Sequence, residues 1–143
     1  MQGVLIADEN VETRKMLADL CIEAGYNVTV TTSAANVLHG ILKKSAQVVL
    51  LSNEFDELAA TELIPLLKKC NRDLTVILVS DETSLPVIRK MRKEGIFYHS
   101  LKPIAPEDRE ELRQAVACAF ENIKNSQSSI TAKNTQSVKT DNR

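Results

Sequence analysis

Long apolar runs, histidine and paired cysteine are what this 143-residue sequence has least of, and each shortage removes a class of function. No apolar stretch approaches the ~20 residues a membrane-spanning helix needs, so a membrane protein is not expected. Met1-Gln2-Gly3 runs straight into an apolar segment, with no basic region and no small-residue cleavage motif, so nothing directs export and a cytoplasmic location is expected. Two His and three Cys form no cluster with zinc-site spacing, and no Ser-His-acid order suggests acyl transfer. Cys21, Cys70 and Cys118 are odd in number, far apart and in apolar or helical contexts, which reads as buried thiols in a reducing compartment. A net charge of −1 gives no overall field to draw nucleic acid, and direct DNA binding by this segment is not expected.

What is present is an alternation of two periodicities. Val4-Leu5-Ile6-Ala7 is wholly apolar and stops at Asp8-Glu9-Asn10, as a strand buried on both faces does where its end meets solvent. Met16, Leu17, Leu20 and Cys21 then recur at helical spacing, and Gly25 follows where a helix ends. Val28 to Thr32 predicts a short second strand, and Ser33 caps a helix carrying Val37, Leu38, Ile41 and Leu42. Val48-Val49-Leu50-Leu51 and Val76-Ile77-Leu78-Val79 are two more buried strands. Between them Leu63, Ile64, Leu66 and Leu67 make a helical face that Pro65 should kink or shorten. A helix ending at Gly95, a strand over 96–101 and a last helix from about Pro106 to Lys124 complete the pattern.

Strands alternating with helices imply a doubly wound α/β fold, a five-stranded parallel sheet with helices on both faces. Residues 125–143 hold only Ile130 and Val138 as sizeable apolar groups and are expected to form a disordered polar tail or linker beyond a domain at 1–124. In such sheets chemistry gathers at the C-terminal strand ends, here Asp8 and Glu9, Ser52 and Asn53, Ser80, and Lys102.

The segments VLIADEN, VETRKML, VVLLSNEFDELAATEL, VILVSDE and YHSLKPIAPEDREEL resemble the successive motifs of response-regulator receiver domains, the CheY-like superfamily, over about residues 3–124. The resemblance implies a flavodoxin-like strand order of 2-1-3-4-5 with five helices, and a two-component signalling role rather than an enzyme. It also implies an aspartate at the end of strand three that takes phosphate from a histidine kinase, with a divalent metal held by that aspartate and an acidic pair. Ungapped alignment through Glu62-Leu63 puts Ser52 at the acceptor position, which makes the chain similar to an atypical, pseudo-receiver form. A serine hydroxyl is neutral, is a poor nucleophile without a base, and cannot form an acyl phosphate. Asp8, Glu9 and Glu54 remain as an acidic pocket for a weakened magnesium site, since one anionic oxygen is gone.

Ser80, His99, Lys102 and Pro103 match the family's switch and phosphate-pocket positions, His99 standing where an aromatic residue is common, and Lys102 is expected to pair with Asp8 or Glu9. Arg89, Lys90, Arg92 and Lys93 on helix four match its partner surface with strand five and helix five, the face for a histidine kinase, an output domain, another signalling protein or a homodimer. Two alternatives carry different chemistry: phosphorylation of Ser52 by a serine kinase, and a small flavodoxin-like enzyme or ligand-binding domain. The second needs an anion-cradling first loop, whereas Asp8-Glu9-Asn10-Val11-Glu12 repels anions.

Overall fold

The computed structural model describes residues 2–52, 54–81, 84–103 and 105–141, with side chains described as far as residue 126 except that of Glu54. The elements run β1 (Gly3–Ala7), α1 (Val11–Glu23), β2 (Asn27–Thr31), α2 (Ala34–Leu42), β3 (Val48–Leu51), β4 (Glu54–Phe55), β5 (Leu58–Ala59), α3 (Ala60–Cys70), β6 (Thr75–Val79), α4 (Leu85–Glu94), β7 (Tyr98–Ser100) and α5 (Pro106–Asp141). One parallel sheet has the order β2-β1-β3-β6-β7, which is 2-1-3-4-5 when only its own strands are counted. β4 and β5 form a separate antiparallel hairpin that sequence pattern does not announce.

β1, β3 and β6 are buried at every residue because each lies between two strands and two helical layers. Their side chains alternate between the two faces. Val4, Ile6, Val48, Leu50, Ile77 and Val79 pack with Leu17, Leu20 and Cys21 of α1 and Leu112, Val116 and Phe120 of α5. Leu5, Ala7, Val49, Leu51, Val76 and Leu78 pack instead with Val37 and Ile41 of α2, Leu63, Ile64 and Leu67 of α3, and Met91 of α4. Each large side chain removed from water in these layers contributes roughly 1.5–3 kcal/mol.

Helix ends follow local chemistry. Asn10 and Ser33 accept from the amides of Thr13 and Asn36 at the starts of α1 and α2. After α1, Gly25 at φ 91° lets its own amide reach Ile22 O and that of Tyr26 reach Cys21 O, the paired bonds of a Schellman ending. Gly95, at φ 102°, ends α4 the same way. Pro65 does not shorten α3, which continues to Cys70 because Leu63, Ile64 and Leu67 are fully buried around it.

Three further expectations are corrected. The fifth sheet strand is only Tyr98–Ser100, with Ile96 packed against the core and Phe97 exposed. Cys70 and Cys118 are exposed and only Cys21 is buried, since helical residues off the apolar stripe face solvent. The backbone of α5 is helical to Asp141, past the end expected near Lys124, although apolar content falls away there.

Candidate functional site at the ends of β1 and β3

α1 leaves β1 toward the α1/α5 layer, whereas α3 leaves β3 toward the opposite layer, so a crevice opens between these two adjacent strand ends. Ala7 and Leu51 are in register, which sets Asp8 beside Ser52, and the Ser52 amide donates to Ala7 O at 3.1 Å. Both residues are nearly enclosed, at 3% and 5% exposure. Asp8 Oδ1 accepts from the Asn10 amide at 2.8 Å, while Oδ2 is buried without a hydrogen-bond partner. Burial pushes the Asp8 carboxyl above the usual carboxylate range, opposed by the Asn10 amide and by the charges of Lys102 and Arg14.

Ser80 and His99 meet as one unit. Ser80 is fully buried after β6, its amide donates to Ser100 O, and its Oγ lies 3.1 Å from His99 Nε2. Lys102 is half-buried and Pro103 buried. Lys102 does not form an ion pair with Asp8 or Glu9; its Nζ lies 4.0 Å from Asp81 Oδ2, an exposed partner at the outer limit of contact. A cleft of about 540 Å³ opens beside these groups, lined by Asp81, His99, Lys102, Asp108 and Glu111 among others. Tyr98 turns away and donates to Glu111 at 2.6 Å, and that bond raises its phenol pKa.

Glu9 is turned out of the crevice, its Oε1 accepting from the Asp56 amide. The Asp56 carboxylate in turn accepts from the Ala34 amide at 2.8 Å. Asp56 thus caps α2, a role whose only signal in the sequence is a carboxylate in a two-residue turn. Asn53 and the Glu54 side chain lie outside the described residues. Arg89, Lys90, Arg92 and Lys93 are exposed along α4, around the buried Met91.

A family model for the response regulator receiver domain matches residues 4–117, most of the chain and every strand of the sheet. The chain belongs to this family. The receiver domain is similar to the DNA-binding transcriptional regulator NtrC of Rhizobium meliloti (strain 1021), 27% identical over 100 residues that make up 70% of this chain and 21% of that protein. NtrC of Bradyrhizobium sp. (strain RP501 Parasponia) is 26% identical over 101 residues. The chain spans about a fifth of the length of these relatives. Among solved structures, NtrX from Brucella abortus superposes with a TM-score of 0.81 at 19% identity, covering 92% of this chain and 30% of that one. A CheY-like receiver domain protein from Methanospirillum hungatei JF-1 gives 0.75 at 20% identity, covering 87% and 98%. At these identities the structures show the fold.

Receiver domains commonly hold magnesium among three acidic oxygens, and these residues do not fit that group. Asp8 Oδ2 is a suitable unsatisfied donor, but Glu9 is committed to a backbone amide and Ser52 offers a neutral hydroxyl. Among the described residues no three His, Cys, Asp or Glu side chains are grouped to hold a metal ion. Among them, too, no helix is long and apolar enough to cross a membrane.

Proposed function

We propose that this receiver domain works in two-component signalling as a protein-interaction module that does not pass through an aspartyl phosphate. The observation that carries the proposal is Ser52 directly after β3, in register beside Asp8. An acyl phosphate needs a carboxyl at that point, and the nearby Asp56 carboxylate is engaged with α2. Magnesium binding is weak for the same reason, and the module is not itself an enzyme. In this reading Ser80, His99, Lys102 and Pro103 stand at the family's switch and phosphate-pocket positions without its acceptor. Phosphorylation of Ser52 by a serine kinase is the poorer account, because a residue 5% exposed after a core strand does not enter a kinase cleft without local unfolding.

The contact surface in this proposal is α4, β7 and α5. Arg89, Lys90, Arg92 and Lys93 give α4 a basic face, and Glu107, Asp108, Glu110 and Glu111 give the start of α5 an exposed acidic one. That pairing suits a histidine kinase, an output domain or a second copy of the chain in head-to-head contact, not nucleic acid. Residues 1–124 act as the signalling unit in the cytoplasm, and 125–143 serve as a tail or linker.

The test is phosphotransfer. Incubation with acetyl phosphate and magnesium is expected to leave the intact mass unchanged. A base-labile phosphoryl group on Glu54 or Asp56 would overturn the proposal.

A further inference from the structure

Asp56 and Glu57 form the two-residue turn of the β4–β5 hairpin, and both sit at positive φ, 54° and 64°. Turns of this hand favour Asn-Gly or Asp-Gly, because glycine adopts positive φ without penalty. Glu57 has no such freedom, so contacts outside the turn must hold its backbone in place. Two hydrogen bonds run from the turn to other parts of the chain. Glu9 Oε1 accepts from the Asp56 amide at 2.5 Å, across 47 residues, and Asp56 Oδ2 accepts from the Ala34 amide at 2.8 Å, across 22. Ala34 is the first residue of α2, whose positive dipole end favours a carboxylate there. Phe55, 1% exposed, fixes the other side of the hairpin in the core.

We propose that Glu9 and Asp56 are positioning residues forming a latch, which holds a strained hairpin and the N-terminus of α2 to the rim of the Asp8–Ser52 crevice. Loss of the Glu9 bond releases both. In a receiver whose described residues do not assemble a metal cage, Glu9 serves as the tie between the β1 end and α2 instead of as a ligand. The latch stands on its own contacts and is independent of how Ser52 is used.

Hydrogen exchange at the Asp56 and Ala34 amides of the full chain tests it, with the core amide of Leu50 as a control for global opening. Glu9→Ala is expected to speed exchange at both sites by about tenfold, the value of one modest hydrogen bond. Glu9→Gln, which keeps an accepting Oε1, is expected to restore most of the protection. If Ala34 exchanges at its original rate in Glu9→Ala, or Gln behaves as Ala does, the latch is refuted. Should Glu9→Ala loosen Leu50 as well, Glu57→Gly decides the matter. Relief of the turn is then expected to slow exchange at Ala34, and an unchanged rate there would refute the latch.

Discussion

Asp8 and Ser52 lie side by side in a nearly enclosed crevice, so each substitution at one of them reads out the other. Ser52→Asp sets a second carboxylate against a buried, partnerless oxygen of the first. It is expected to lower Tm in metal-free buffer by about 3–10 °C, a loss on the order of 1–3 kcal/mol, and to make Tm rise with magnesium as the parent's does not. Asp8 carries a pH prediction. Its carboxyl is raised by burial, so the folded state prefers the neutral form; that preference is fully present below the ordinary carboxylate value and is lost as pH rises through the raised one. Asp8→Asn is therefore expected to stabilise the domain at neutral pH, with the gain vanishing in acid, as thermal melts across pH would show. Asp8, Ser52, Ser80 and Lys102 were legible in the sequence because strand ends converge in this sheet whatever the side chains do. The true partners of Glu9 and Lys102 were not, since both depend on loop conformations that no periodicity reports.

At the scale of elements, α3 carries Pro65 in its interior and so lacks one backbone donor. Pro65→Ala is expected to raise stability by roughly 1–3 kcal/mol, measured by denaturant midpoint, because the buried faces of Leu63, Ile64 and Leu67 already hold the helix in place. Asn10→Ala removes the side chain that accepts from the Thr13 amide and is expected to cost about 1 kcal/mol in the same measurement. Strands buried on both faces were legible as unbroken apolar runs, and α1 and α4 as stripes closed by Gly25 and Gly95. The β4–β5 hairpin was not, because an Asp-Glu turn lacks the glycine that marks its kind. Nor was the length of α5, which continues where apolar content has fallen away.

The molecule as a whole has a receiver's sheet and helical layers, and under the proposed reading Ser52 replaces the carboxylate on which the family's chemistry turns. Its basic α4 and the acidic start of α5, which pack on opposite faces of the sheet, predict association that weakens with salt. Reversing Arg89 and Arg92 to Glu is expected to abolish any concentration-dependent mass increase seen by sedimentation at low ionic strength, with the parent's own association falling as salt is raised. In the proposed reading this pocket no longer switches on phosphate. The most direct measurement is a titration of the full chain with beryllofluoride and magnesium, which mimic a phosphorylated aspartate, following the amide resonances of Ser52, Ser80, His99 and Lys102. No saturable shift is expected at any of the four. Localised, saturable shifts there would contradict that reading and return this domain to the phosphorylated receivers.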